Sequence, residues 1–348
     1  NSAYILLNSL TYIPSFEITI KFLSSFTLSL FIIDLRNYLL KKDLNLYLLK
    51  YLSLFILISV FITLSKFKNI GTDYTAHLFY LSLVIFYLNI FNSNLNFFKS
   101  KNFFLIISTV ISMLIVLKIS MILTSLILVH YLLIIINLKN FQKILSFFII
   151  IPLLVIFLWI FQNIELSNCI IFPISKLCLV SESEIYPIVF ENTIISLYAK
   201  DIVIDYYSMD LSDLIKLNSI SSWFKIWLLN GFLEVLEKFI PILIIFNLSI
   251  YKSITKNVSK NIKNEFIKFN LIFITIIFIS VLVWFLQAPS FRFGFSFLVL
   301  FFFFINIYFI KIINFDISQN ISSQYLNKLF NIFLVLFIFY QLIRIYNY

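Results

Sequence analysis

Glycine is almost missing from this sequence, with three residues in 348, and cysteine and histidine occur only twice each. Glycine fits where the backbone leaves no room for a side chain, so we expect such a position at each of Gly71, Gly231 and Gly294. Two cysteines are too few for a Cys-rich zinc site, and neither an HExxH nor a DxD motif occurs. The sequence therefore contains no convincing metal-binding motif.

Charge is also scarce, since charged residues make up 12% of the chain while hydrophobic residues make up 61%. This composition is far too apolar for a soluble domain of this length and predicts an all-α, polytopic integral membrane protein. About ten apolar runs are long enough to be interpreted as transmembrane helices. The predicted spans lie near Ile18–Ile33, Tyr51–Leu64, His77–Phe91, Phe103–Leu117, Met121–Leu138, Phe147–Phe161, Phe239–Ile250, Phe269–Leu286, Phe295–Ile310 and Phe330–Ile345.

The net charge of +10 is best explained by membrane topology and not by nucleic-acid binding. Lysine and arginine concentrate in alternate connectors, which predicts that those connectors face the cytoplasm: 36–50, 99–101, 139–143, 252–268 and 311–328. Tryptophan prefers membrane interfaces, and the four tryptophans all fall at helix ends predicted to face outward. The pair Lys66 and Lys68 is the exception to this charge pattern.

Three regions follow from this topology: an N-terminal bundle of about six helices (1–161), an extracytoplasmic insert (162–238) and a C-terminal bundle of about four helices (239–348). The chain begins at Asn1 without a signal-peptide pattern. We therefore expect a fragment that lacks its true N-terminus.

The insert differs from the rest of the chain because residues 162–222 contain both cysteines and eight of the sixteen acidic residues. A disulfide between Cys169 and Cys178 would suit an oxidising compartment, although free thiols or a redox or metal role are alternatives. Asp201 and Asp205 share one face of a helix or a strand and could hold a divalent cation or act in acid–base chemistry. A solvated acidic surface is the more common explanation of such a pattern.

Arg292 is the sharpest single candidate for binding, since it is one of only three arginines among 26 basic residues. It lies in a short proline-containing link between two apolar helices. A guanidinium can bind a phosphate with two parallel hydrogen bonds, which predicts a site for a lipid-linked phosphate or diphosphate. The alternative is an arginine that reaches lipid headgroups or neutralises an acid of the insert.

Asp73 and His77 are four residues apart at the start of a predicted helix, so they would share one face as an acid–base or ligand pair. Asp73 could instead serve only as a helix-capping acid. Lys118 and His130 are ionisable residues in or beside apolar spans, where such groups are functional candidates. The alternative for Lys118 is a turn residue between two helices, and a histidine such as His130 more often makes an interhelical contact.

The stretch from Trp223 to Lys238 has an amphipathic pattern, with polar residues on one helical stripe and Trp223 and Trp227 among the apolar remainder. This pattern predicts a helix that lies on the outer leaflet, with the two tryptophans as interfacial anchors. The chain would re-enter the membrane near Pro241.

Several segments together resemble an uncharacterised family of polytopic membrane proteins from bacterial surface-polysaccharide (O-antigen type) gene clusters, distantly similar to GT-C glycosyltransferases and O-antigen polymerases. The segments are Asn163–Pro173 with Cys178, Ser222–Trp227, Ala288–Gly294 and the opening Asn1–Tyr4. Ser290 stands where the family pattern has an acid, and the family's acid-containing first outer loop would precede Asn1.

The resemblance implies a helical bundle like that of GT-C enzymes with one larger extracytoplasmic insert. It also implies an inner-membrane glycosyltransferase or polymerase that acts on polyprenyl-(di)phosphate-linked sugars. Arg292 would then bind the lipid phosphate, and Asp73 or an upstream acid would act as the base. No cofactor is implied with certainty, and the expected partners are the lipid bilayer and the lipid-linked sugar. The alternatives are a transporter or flippase of lipid-linked oligosaccharide and a non-catalytic membrane scaffold.

Overall fold

The computed structural model describes residues 28–37, 39, 47–63, 72–136, 150–167, 170, 179, 220–229, 231–251, 264–287 and 290–312. Regular secondary structure in these ranges is helical throughout, which confirms the all-α part of the predicted fold class. A helical stretch at residues 28–37 comes first. The bounded elements are α1 (Tyr47–Ile62), α2 (Thr72–Ser93), α3 (Leu95–Phe98), α4 (Lys101–Leu117), a 3-10 turn (Ile119–Thr124), α5 (Ser125–Ile136), α6 (Ile150–Ser167), α7 (Ile220–Leu229), α8 (Gly231–Tyr251), α9 (Asn264–Gln287) and α10 (Phe291–Ile312).

The prediction of about ten transmembrane helices is wrong. Within the described ranges, no helix combines the length and the apolar character needed to cross a bilayer. The helices α1 and α5 have 16 and 12 residues, fewer than the roughly 20 that a hydrocarbon core requires. The predicted span Met121–Leu138 is divided between the 3-10 turn and α5.

The physical reason for this error is visible at α1. Every side chain from residue 51 to residue 60 is buried by other parts of the chain. An apolar run therefore reports that a helix avoids water, but it does not distinguish contact with lipid from contact with neighbouring helices. Part of the predicted span Ile18–Ile33 lies outside the described residues, and the predicted span Phe330–Ile345 lies wholly outside them.

The core lies around α1, α2 and α10, which all contact one another. Residues 294–300 of α10 are buried on all sides, as expected for a helix that is apolar around its whole circumference. The ring of Phe55 in α1 packs edge-on against Phe246 of α8 at 4.9 Å and against Phe303 of α10 at 5.6 Å. Helices from the predicted N-terminal and C-terminal bundles thus share one core, and the predicted boundary after residue 238 falls inside α8.

The helices α2 and α4 are joined by the short α3, and two capping side chains shape this link. The Asn94 side chain accepts a hydrogen bond from the Phe97 amide, and the Ser100 hydroxyl accepts one from the Phe103 amide. Both caps satisfy amides at helix starts that have no partner within the helix. The short link turns the chain back, so that the end of α4 returns toward the start of α2.

Two asparagines connect α8 to α10 on a surface that is otherwise apolar. The Asn306 amide donates to the Asn247 oxygen at 2.9 Å, and the Asn247 amide donates back at 3.3 Å. Leu248 and Ile244 beside this pair are 64% and 54% exposed, so both the pair and its neighbours lie at the surface of the chain.

Replacing Asn247 with leucine should lower the free energy of unfolding by about 0.5–1 kcal/mol, because the Asn306 amide loses both hydrogen bonds. Thermal unfolding of the two single variants and the double Asn247→Leu/Asn306→Leu variant measures this effect. The double variant should recover most of the loss, since no amide is left without its partner. Equal stability of Asn247→Leu and the unaltered protein would contradict the prediction, and Ile244→Leu serves as the neutral control.

Candidate functional site

The start of α10 is built around the backbone of Ser290, which is buried. Its carbonyl accepts hydrogen bonds from the amides of Phe293 and Gly294 at 3.1 and 3.2 Å, and from the indole Nε1 of Trp284 at 2.9 Å. A Cβ atom on Gly294 would overlap that indole ring. The expectation for Gly294 is therefore confirmed, because only a glycine lets Trp284 lie against the first turn of α10.

Gly231 has the same relationship to a second tryptophan. A Cβ atom at Gly231 would overlap the ring of Trp227, which confirms the expectation for this glycine as well. Trp227 is buried, and its ring packs edge-on against Phe285 at 4.8 Å; Trp223 contacts the same phenylalanine at 5.6 Å. Both tryptophans thus pack against α9, and their role as interfacial anchors stays a prediction. The third glycine, Gly71, lies outside the described residues.

Lys118 lies between α4 and the 3-10 turn in an extended backbone conformation, and it is only 5% exposed. Its ammonium Nζ lies 4.4 Å from the centroid of the Phe293 ring. Such a cation–π contact stabilises a partly desolvated ammonium by about 0.5–2 kcal/mol. The contact brings Lys118, which links α4 to the 3-10 turn, to the first turn of α10, one residue from Arg292.

Arg292 is the second residue of α10. The start of a helix carries a partial positive charge from amides that lack partners within the helix. The backbone of Arg292 thus lies at the positive start of this 22-residue helix, one residue before Phe293, whose ring the Lys118 ammonium contacts. This arrangement favours an anionic ligand.

His77 is fully buried, and its Nδ1 atom lies 2.7 Å from the Ser296 hydroxyl of α10. The rings of Phe295 and Phe297 pack edge-on against the imidazole at 6.0 and 6.4 Å. Asp73 is the second residue of α2, one helical turn before His77. The backbone of Asp73 is thus near the start of α2, and its capping or catalytic role stays a prediction.

A second polar pair lies deeper in the core, where the Tyr87 hydroxyl is 2.7 Å from Nδ1 of His130. Burial, and to a lesser extent the neighbouring Tyr131, raise the pKa of Tyr87 well above its ordinary value. The phenol therefore keeps its proton, and its hydroxyl shares a hydrogen bond with the imidazole nitrogen. The expectation of an interhelical contact for His130 is confirmed, because Tyr87 is in α2 and His130 is in α5.

The remaining site predictions fall outside the described residues: Cys169, Cys178, Asp201 and Asp205. Among the described residues, no three side chains from His, Cys, Asp and Glu gather as a metal site would require. Both the disulfide and the divalent cation therefore stay predictions.

Sequence reasoning missed Ser296, Tyr87 and Phe293 as partners of the predicted residues. The signal for Ser296 was present, because it is the only serine or threonine of α10. A hydroxyl in a run of phenylalanines suggests a buried hydrogen bond. Its partner could not be inferred, since His77 is 219 residues away in sequence.

The chain was compared with curated proteins, solved structures and protein families. No curated protein and no solved structure is similar enough to the chain to indicate common ancestry. A family model described as a domain of unknown function matches residues 1–299, which is well over half of the chain. This protein therefore belongs to the DUF8201 family.

Proposed function

We propose that this protein is a glycosyltransferase or polymerase of bacterial surface-polysaccharide assembly that binds a polyprenyl-(di)phosphate-linked sugar at the start of α10. The proposal places it at the inner membrane, in contact with the hydrocarbon chains of lipids. Arg292 and Lys118 bind the phosphate groups, and Asp73 is the base that activates the acceptor hydroxyl.

The observation that carries the proposal is the position of Lys118. Lys118 is buried, and its ammonium lies over the ring of Phe293. Phe293 directly follows Arg292 in the sequence. A buried cation is costly unless an anion or an aromatic face compensates for the lost hydration. A second cation beside a forked guanidinium suits a diphosphate, which carries more charge than one arginine neutralises.

A second feature supports a lipid-linked ligand. One stripe of α6 is apolar and exposed along most of the helix, and Phe157 in this stripe is 65% exposed. An apolar patch of this extent usually marks a surface that contacts lipid or another protein. The α6 stripe consists of Ile150, Leu153, Leu154, Phe157, Leu158 and Phe161. Exposed apolar side chains also occur on α8 and α9.

Arg292→Lys tests the proposal. We expect at least a tenfold loss of polymer in a strain that depends on this gene, because lysine keeps the charge but cannot form two parallel hydrogen bonds to phosphate. Polymer length and amount are measured by gel electrophoresis of extracted polysaccharide. Lys101→Gln removes an exposed cation at the start of α4 and is the matched control. Normal polymer from Arg292→Lys would refute the assigned role.

A reconstituted assay separates transfer from transport. Purified protein in vesicles that contain a synthetic polyprenyl-diphosphate sugar should lengthen the glycan, which mass spectrometry detects. Movement of the lipid-linked sugar between leaflets without any longer product would instead indicate a flippase. That result would overturn the enzymatic part of the proposal while leaving the phosphate site intact.

A further inference from the structure

The helices α2 and α10 pack side by side and run in the same direction. His77 of α2 lies against Ser296, and Tyr80, three residues later, contacts the ring of Phe297 at 5.3 Å. Further along, Tyr87 of α2 and Phe304 of α10 both pack against Phe273 of α9, at 6.3 and 5.8 Å, so the two helices advance together toward their carboxyl ends. Packed helices have axes about 8–10 Å apart, so residues at matching heights are neighbours.

The register of this pair has a direct consequence for Asp73 and Arg292. Asp73 precedes His77 by four residues, and Arg292 precedes Ser296 by four residues. In an α-helix, a step of four residues returns to nearly the same face, about one turn earlier. The parallel pairing that joins His77 to Ser296 therefore also brings positions 73 and 292 together.

We infer that the His77–Ser296 hydrogen bond fixes the register of α2 against α10 and thereby places Asp73 and Arg292 in one site, so that His77 is a positioning residue and not the base. Only the catalytic meaning of this pairing rests on the proposed function; the pairing itself does not. His77 is fully buried between two phenylalanine rings, which leaves no room for a substrate at the imidazole in this arrangement.

Cysteine cross-linking in the full chain tests the register. The variant Asp73→Cys/Arg292→Cys, in a Cys169→Ser/Cys178→Ser background, is treated with a bis-maleimide whose spacer is about 8–10 Å, the distance between packed helices. Mass spectrometry of the digested protein identifies the cross-linked peptides. Asp73→Cys/Asn306→Cys is the negative control, because position 306 lies 14 residues further along α10, or about 21 Å at 1.5 Å per residue.

A second cross-link reports whether the bundle remains folded. Asn247 and Asn306 are hydrogen-bonded to each other, so Asn247→Cys/Asn306→Cys should cross-link efficiently in the same background. Adding His77→Phe should slow cross-linking of positions 73 and 292 by roughly fivefold, the effect of one net hydrogen bond. It should leave the 247–306 cross-link unchanged.

The outcomes separate the explanations. Absence of the 73–292 cross-link, while the 247–306 pair reacts, would overturn the inferred register. If His77→Phe slowed both cross-links or neither, His77 would not be a positioning residue of this pair. If the 73–292 cross-link formed while Arg292→Lys made normal polymer, the register would stand and only the proposed function would fail.

Discussion

Replacing Gly294 with alanine is expected to lower the free energy of unfolding by about 2–3 kcal/mol, since overpacking costs about 1–3 kcal/mol and a displaced indole loses a hydrogen bond. The new methyl group would occupy the space that the Trp284 ring fills, and the backbone of α10 cannot move without disturbing its first turn. Trp284 would have to leave the Ser290 carbonyl. Thermal and denaturant unfolding, under one solvent condition for all variants, measure the loss.

A compensating variant makes this prediction specific. Gly294→Ala combined with Trp284→Leu should be more stable than the sum of the two single changes predicts, because the smaller side chain makes room for the methyl group. Trp284→Phe keeps an aromatic ring but removes the indole donor, and it should cost only about 1 kcal/mol. Unaltered stability of Gly294→Ala would show that the close approach of Trp284 is not required.

Replacing His130 with leucine is expected to lower the free energy of unfolding by about 2–3 kcal/mol, because the buried Tyr87 hydroxyl would lose its hydrogen bond to the imidazole. The Tyr87→Phe change should cost less, about 1–2 kcal/mol, since phenylalanine keeps the ring contacts with Phe98 and Phe273. The double variant should be more stable than the sum of the single losses predicts, by about 1 kcal/mol. Unfolding measurements on the four proteins of this cycle give the coupling energy.

Tyr131 supplies the matched control for this cycle. It is buried beside the same aromatic cluster, but its hydroxyl has no hydrogen-bond partner among the residues that the structure describes. Tyr131→Phe should therefore leave stability unchanged or slightly raise it, since a buried hydroxyl without a partner is unfavourable. If Tyr131→Phe lowered the free energy of unfolding as much as Tyr87→Phe, removal of any hydroxyl in this cluster would be destabilising. The loss in Tyr87→Phe could then not be attributed to its hydrogen bond with His130.

The sequence was informative about where helices form and less so about where they end. The apolar run Phe103–Leu117 ends at the same residue as α4, and the run His77–Phe91 lies within α2. Within the run Met121–Leu138, a 3-10 turn changes to an α-helix. Hydropathy did not predict this change because both segments are apolar. The chain was expected to re-enter the membrane near Pro241, in a helix predicted to begin at Phe239. Instead, α8 begins at Gly231 and continues through Pro241 without a break. Proline weakens a helix locally, and packing on both sides of it can still hold the helix together.

The candidate site was predictable in part. Arg292 was singled out by its rarity and Lys118 by its place beside apolar spans, yet nothing in the sequence showed that they share one end of the bundle. The pairing depends on the contact between Lys118 and Phe293, which joins α4 to α10 across 175 residues of chain. The same is true of His77 and Ser296, whose contact depends on how two helices pack and on nothing local to either residue.

Composition alone therefore predicted that the described residues are helical and apolar, and the two described glycines were correctly expected to lie where a side chain cannot fit. Tertiary structure alone decided what each apolar helix contacts, which of the few polar side chains are partners, and that no described helix meets the requirements for crossing a bilayer. The reason is that hydropathy measures how strongly a side chain avoids water. It does not say whether the side chain meets lipid or another helix, and that choice depends on packing between residues far apart in the chain.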